Sequence, residues 1–517
     1  MYKQLMEIRD RVKKYIPSGL IFLCGLALYS QLMSQQLVNS YDGLWEYTYH
    51  SAGKWELSLG RWFWLYLDKL RFGLNNDPWT SILSILLFSA GMYVIADIFS
   101  LRNKVVSFLV SILFISSTAV CVSLSYRFMS PVFGAAFLLS TLAVWVTLKL
   151  EKTVFPVLLG SFMLALSMGA YQSYLGCTCV IIAGYLLWQL YNTDVSWKQL
   201  GITLGKSAAM LLMGAAFYML LLQIHLKIFH TALSGYNGAN TYSIWNTIQK
   251  LPLTLQNAYS LFYMYFFKQM YKTNMFQSFQ IYIFAFAAAG AIFLIGLVRI
   301  WKKSRIRAFC FLALILMLPV ACNAVALVAT DVGISIQMTA PLALLVPVLV
   351  CIASQIKGSL RVTVPVQLTG LAVVLLILWG NIYQIQVDQN AMYEGRTATT
   401  AMAKDILHEL ADQDCLDRDL QYCFVGIPAG NGLFYVSDAY ALANTDALVG
   451  VGWTEPEAAR KTWERILHYF CGVDLNVSSV VSCANEIAEA DLESMPAYPR
   501  PGYVKRSGDV VVIKVNE

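Results

Sequence analysis

The chain has 517 residues, of which 58% are hydrophobic and only 13% charged, with a formal net charge of +6 and a mean hydropathy of +0.57. That balance excludes a soluble globule, because its apolar runs repeatedly reach the ~20 residues needed to cross ~30 Å of hydrocarbon. It gives no reason to expect a nucleic-acid partner, since the positive charge sits in short loops and no stripe of interleaved basic and aromatic residues is present.

In chain order, apolar runs at 16–36, 80–99, 105–124, 131–148, 153–170, 174–191, 207–228, 278–300, 308–329, 338–356 and 362–385 predict about eleven transmembrane helices. The stretch 153–191 is too long for one span, and its break at Gly169-Ala170-Tyr171-Gln172-Ser173-Tyr174 reads as a tight hairpin. Basic residues fall before the first span (Lys3, Arg9, Arg11, Lys13, Lys14) and in alternate loops, among them Arg102, Lys104, Lys302 and Lys303. The positive-inside rule therefore makes the N-terminus cytoplasmic. An odd span count sends the loops at 37–79, 125–130, 229–277 and 330–337 outside, together with the tail from 386. The first apolar run lacks a small-residue cleavage site and is expected to be a retained span. The expected organisation is a transmembrane domain, 1–385, followed by a small extracytoplasmic α/β domain, 386–517.

The 37–79 loop is dense in aromatic residues, as is 244–272, and both are expected to hold helices lying in the membrane interface. The first loop also carries Asp42, Glu46, Lys54 and Arg61. If Tyr41–Tyr49 is helical, Asp42 and Glu46 share a face, and such a pair can divide the work of general base and substrate anchor. The alternative is a solvated pair of loop acids. Arg127 follows Tyr126 in a short outside loop, against the prevailing charge rule. With Arg61 and Lys54 it supplies cations beside an outside lipid surface, where a guanidinium fork fits phosphate oxygens; plain anchoring to anionic lipid is the rival. Tyr171 and Gln172, at the outer end of the hairpin, offer hydrogen bonds and ring stacking to sugar hydroxyls, or equally caps for helix ends.

In the tail, 391–412 reads as an amphipathic helix, and Gln421–Ile427 and Asp509–Val515 read as strands. Thr454-Glu455-Pro456-Glu457 reads as a capping box, with Thr454 as N-cap of a helix through Phe470. No catalytic signature is visible there, which fits a scaffold or a lid that docks acceptor. Seven of the eleven cysteines lie in spans, while Cys415, Cys423, Cys471 and Cys483 fall in the tail. Four cysteines outside the membrane predict two disulfides, most simply Cys415 with Cys423 and Cys471 with Cys483, although three pairings are possible. Zinc is the rival, weakened by the lack of a CxxC pair.

The order Tyr41-Asp42 after the first span, Gly60-Arg61-Trp62, Tyr126-Arg127 and Ala170-Tyr171-Gln172 resembles the GtrII glucosyl transferase family, within the membrane GT-C superfamily. The resemblance spans about residues 15 to 390. It implies a GT-C-like fold, a polyprenyl-phosphate sugar as donor and an outside surface glycan or glycolipid as acceptor. A polyprenyl-phosphate sugar synthase and a flippase would act upstream. By the same resemblance Asp42 is the catalytic acid residue, Arg61 and Arg127 meet the donor phosphate, and Tyr171 and Gln172 line the pocket. Relatives often carry two adjacent acids where this chain has Asp42-Gly43, which leaves a second role to Glu46 or to none. No cofactor or metal is required by this reading. Two other classes fit the sequence: a lipid-linked glycan flippase, which would bury ionisable residues at mid-membrane and show internal repeats, and a membrane scaffold displaying its tail.

Overall fold

The computed structural model describes residues 18–39, 48–151, 154–191, 195–236, 244–268, 279–327, 333–355, 360–433, 437–444, 447 and 455–516. The chain is mostly helical. After α1 (Ser18–Leu28) and α2 (Ser30–Ser34), the first long loop holds two short helices, α3 (Lys54–Ser58) and α4 (Trp64–Leu70). There follow α5 (Trp79–Ile98), α6 (Lys104–Ile115), α7 (Thr118–Ser125), α8 (Ser130–Lys149), α9 (Val154–Ala170), α10 (Leu175–Tyr191) and α11 (Trp197–Ile228). The second aromatic segment forms α12 (Ile244–Gln249) and α13 (Leu251–Phe267), before α14 (Phe279–Lys303), α15 (Arg305–Cys322), α16 (Ala340–Ala353) and α17 (Leu360–Asp412).

Eight helices among the described residues are long and apolar enough to cross a membrane, or nine if α6 and α7 form one span bent by 52°. Among the described residues the exact count of eleven is not confirmed. Each expected span has a helix, and the two outside the nine are α1, which begins at the first described residue, and α9, whose 17 residues stand at the lower end of the range that crosses. The α6–α7 break falls at Ser116-Ser117, where the Ser116 hydroxyl turns back 3.3 Å to the Leu113 carbonyl, a local competitor for the helical ladder. Helix starts follow their caps: the Asn103 side chain accepts from Val105 N at 2.9 Å, and Ser196 and Gln199 form a reciprocal capping box on α11.

Small residues let the helices approach. A Cβ on Gly160 of α9 would lie 2.8 Å from the Ala143 carbonyl of α8, and one on Gly134 of α8 would lie 3.1 Å from the Ser84 carbonyl of α5. Rings fill the space between, with Phe114 stacked on Phe137 at 4.6 Å.

The chain divides into two compact units. The first is 1–30, 49–124 and 129–385; the second is 31–48, 125–128 and 386–517. In the second, the rest of α17 buries Met392, Met402, Ile406 and Leu410. The short α18 (Asp438–Leu442), α19 (Pro456–Ile466) and α20 (Ala484–Glu489) accompany β1 (Gln421–Val425), β2 (Asn476–Ser478), β3 (Val504–Ser507) and β4 (Val510–Lys514). The strand order is β2-β1-β4-β3, with β1 parallel to both neighbours and β3 antiparallel to β4. Trp463 of α19 stacks on Phe424 of β1 at 4.4 Å. The N-cap of α19 is Glu455, whose carboxylate accepts from Ala458 N at 2.7 Å; Thr454 lies outside the described residues.

All four tail cysteines are free thiols in the structure, so neither Cys415–Cys423 nor Cys471–Cys483 is bonded. Pairing by chain proximity is not the geometry the sheet produces: β1 turns Cys423 toward Cys483, in an apolar cluster with Met495 and Val512. Burial pushes the Cys423 thiol up to about 12, and the neighbouring Cys483 adds to the shift.

Candidate active site

The first long loop is braced from within. Asp68 of α4 and Arg71, the C-cap of that helix, are three residues apart and face one another, with Arg71 Nε 2.9 Å and Nη2 2.7 Å from Asp68 Oδ1. The other carboxylate oxygen accepts the Ala52 N–H at 2.8 Å, tying α4 to the chain before α3. The His50 N–H donates to the Gly73 carbonyl at 2.8 Å, and Glu56 accepts the Gly53 N–H at 2.7 Å. His50 Nε2 lies 3.5 Å from Asp68 and 3.8 Å from Glu56. Burial raises the Asp68 pKa to about 6 against the opposing pull of Arg71. Burial, helped by Arg71, lowers His50 to about 3, so its imidazole is neutral at neutral pH.

On this brace the segment after α3 turns sharply. Gly60 has φ +82°, a conformation costly for any residue with a Cβ. Gln172 Nε2 donates to the Leu59 carbonyl at 2.7 Å, and the Tyr218 hydroxyl of α11 donates to the Gly60 carbonyl at 3.2 Å. The Phe63 N–H reaches the Gly169 carbonyl at 2.8 Å, and a Cβ on Gly169 would lie 2.5 Å from the Trp62 ring. The hairpin between α9 and α10 thus seats residues 59–63. Its turn comes from extended Tyr171 and the 3-10 turn Gln172–Tyr174.

Arg61 is what this seat presents. Its guanidinium carbon lies 4.7 Å from the Tyr171 ring centroid and 5.9 Å from that of Trp64. Among the described residues its buried Nε has no hydrogen-bond partner and no carboxylate pairs with it. Tyr171 is held in turn by an edge-on contact with Phe133 at 4.8 Å. Behind, Trp62 stacks on His225 at 5.0 Å, whose Nδ1 is 2.6 Å from the Leu221 carbonyl and whose Nε2 is 2.7 Å from the Tyr66 hydroxyl. The carbonyl requires a proton on Nδ1, so in the neutral ring Nε2 accepts from Tyr66. A planar cation on an aromatic face, with no carboxylate partner among the described residues, can bind the oxygens of a phosphate.

The structure therefore brings together Arg61, Tyr171 and Gln172. The Gln172 amide is committed to holding the loop, which makes it a positioning group. Lys54 is exposed at the first residue of α3. Tyr126 and Arg127 are buried and belong to the second unit, on a turn tied to Asn39 by Asn39 N to Ser125 O at 3.1 Å. Asp42 and Glu46, three and seven positions beyond Asn39, lie outside the described residues. Among the described residues no three His, Cys, Asp or Glu side chains converge to hold a metal ion. The expectation missed Tyr218, His225 and the brace of His50, Asp68 and Arg71. The Asp68/Arg71 spacing was a visible cue; nothing local marks Tyr218.

The family model described as Glucosyl transferase GtrII matches residues 41–354. Neither a curated protein nor a solved structure matches the chain. The matched stretch exceeds half of the chain and contains the Arg61 seat, the hairpin and most of the long apolar helices. This chain is a membrane protein that belongs to the GtrII glucosyl transferase family, and it is a glycosyltransferase.

Proposed function

We propose that the protein moves a hexose, glucose by its family, from a polyprenyl-phosphate sugar to an extracytoplasmic surface glycan or glycolipid. The observation that carries this is Arg61, a cation on the Tyr171 face with no carboxylate partner among the described residues, in a loop whose neighbouring Arg71 is paired. The distribution of basic loops supports a cytoplasmic N-terminus, with the first loop and the tail outside. Residues 1–385 carry the transfer chemistry in a GT-C-like arrangement, and 386–517 form the appended domain. A synthase of the lipid-linked sugar and a flippase supply the donor.

In the reaction, the acceptor hydroxyl oxygen bonds to the anomeric carbon as the bond from that carbon to the phosphate oxygen breaks. The electron pair leaves on the polyprenyl phosphate, where Arg61 and Arg127 stabilise the charge. The Asp42 carboxylate takes the hydroxyl proton, with Glu46 as the nearby acid, and the anomeric configuration inverts. The test uses the purified full chain with a polyprenyl-phosphate glucose and a glycan acceptor. Asp42→Asn should abolish transfer while the thermal unfolding midpoint stays put. Retained activity removes Asp42 as base and turns attention to Glu46→Gln. Donor flipping in proteoliposomes without any transfer would overturn the enzymatic donor assignment in favour of a transporter.

A further inference from the structure

We infer that the end of the first unit opposite the Arg61 loop binds an anionic phospholipid. α5 leaves the first loop at Trp79 and ends at Ile98, and α10 follows the Gln172–Tyr174 turn and ends at Tyr191. At 1.5 Å per residue, each helix carries the chain about 25–30 Å from the seat. At that far end a cavity of about 760 Å³ opens among α6, α10, α14, α16, α17 and the turn after α5, within the ~300–1,000 Å³ of sites that enclose small molecules.

Three walls share one polarity gradient. Toward α6 the wall runs from Arg102 and Asn103 at the mouth to Val106 and Leu109 inside; on α17 it runs from Gln367 to Leu371 and Val374. α16 runs the other way, from Val350 inside to Ser354 and Gln355 at the mouth. A second space, of about 70 Å³ and lined only by apolar residues, continues inward from Ile292 and Val350 to Ala285 and Val346. Along α16 and the turn after it the two spaces together run from Gln355 to Val346, about 13 Å of wall at 1.5 Å per residue.

The mouth is cationic. Arg102 is exposed with no carboxylate partner among the described residues, and Lys149 donates to Ser100 of the rim at 2.9 Å. The acid nearby, Asp97, accepts from Trp145 at 2.7 Å and is close enough to Lys149 to offset its charge, which leaves Arg102 as the cation of the mouth. Gln355 is fixed by the Phe99 and Cys351 carbonyls at 2.9 and 3.1 Å, so the rim is built. A cationic mouth over a dry furrow matches an amphiphile with an anionic head and hydrocarbon tails; a sugar or nucleotide would leave the apolar wall uncovered. The bilayer's own phospholipid reaches such a mouth by lateral diffusion. On the orientation proposed above, this is the cytosolic leaflet, opposite the transfer site.

The test is native mass spectrometry of the full chain released from nanodiscs of phosphatidylglycerol and phosphatidylethanolamine, doped with polyprenyl phosphate. Arg102→Gln removes the cation. Gly370→Leu fills the furrow, since no atom lies within 4 Å of a Cβ built there, and leucine also favours the helix. The wild type should retain phosphatidylglycerol in preference to phosphatidylethanolamine, and each variant should retain about tenfold less. Absence of retained lipid, retention by both variants equal to that of the wild type, no preference for the anionic headgroup, or retention of polyprenyl phosphate in its place would each overturn the assignment.

Discussion

Arg61 and Arg71 stand ten residues apart in one loop and have opposite surroundings. Arg71 meets Asp68 through two nitrogens at 2.9 and 2.7 Å, inside a buried cluster that also fixes Ala52. Arg61 rests on Tyr171 and Trp64, with a buried Nε that has no hydrogen-bond partner among the described residues. A buried cation with a paired acid is a structural element, costly to break because its partner is then left alone. A cation held by rings and by backbone geometry keeps its donors for a ligand. The first region holds the second in place, which is why the two should respond differently to substitution.

The largest effect is expected at the brace. Asp68→Asn leaves Arg71 charged and buried without its acid, and should cost about 3–5 kcal/mol, read as a lower thermal unfolding midpoint in detergent. A variant as stable as the wild type would show that the brace contributes nothing. The same cluster sets a pH dependence. Asp68 is raised from 3.8 to about 6, so its contribution is full below the unfolded value and is lost as pH rises toward 6. His50 is lowered from 6.5 to about 3, so its contribution is full above 6.5 and is lost as pH falls toward 3. Between pH 4 and 6 the two slopes oppose, each at most about 1.4 kcal/mol per pH unit. His50→Gln removes one of them. Relative to wild type, its stability should therefore fall as pH rises from 4 to 6, and a parallel pH profile for the two proteins would refute the opposition.

Much of the helical layout was legible in the sequence, because apolar runs and loop charges report directly on membrane solvent. The break at Tyr171 was legible too, from the polar residues interrupting 153–191. What was not legible depends on pairings distant in sequence. Gln172 reads equally as a sugar ligand or a helix cap until Leu59 is seen 2.7 Å from its amide, 113 positions away in the chain. Tyr218 and His225 sit in an apolar helix, and only tertiary packing brings them under the first loop. The tail cysteines failed for the same reason: chain proximity favoured Cys415 with Cys423, while a parallel sheet with a crossover turns Cys423 toward Cys483. The difference between eleven spans and nine rests on α1 and α9, apolar runs in which at most 17 described residues are helical.

At the seat, effects should be smaller in stability and larger in catalysis. Arg61→Ala removes charge-assisted hydrogen bonds to the donor phosphate worth about 1.5–3 kcal/mol, or roughly 10- to 150-fold in the donor's kcat/KM. Arg61→Lys keeps the charge but loses the fork and the stacking, and should fall between the two. Unfolding midpoints should stay close to wild type for both. A loss of stability matching that of Asp68→Asn, with donor dependence unchanged, would make Arg61 another structural arginine and dissolve the contrast.

Gly60 tests whether the seat itself matters, apart from the cation it presents. Its φ of +82° costs a residue with a Cβ about 1–2 kcal/mol, and the added carbon would lie 2.5 Å from the Tyr218 hydroxyl and 2.8 Å from Gln172 Nε2. Those are the two groups that bind the Leu59 and Gly60 carbonyls, so relief of the clash must loosen the turn that carries Arg61. Gly60→Ala should thus cost about 1–2 kcal/mol of stability, while weakening donor use with Arg61 still present. The double variant with Arg61→Ala separates the two routes. If Gly60 acts through Arg61, the alanine at 60 should reduce donor kcat/KM far less once the guanidinium is gone, a coupling that independent sites do not show. Simple additivity in the double variant would mean that the turn affects transfer by some path other than the position of Arg61.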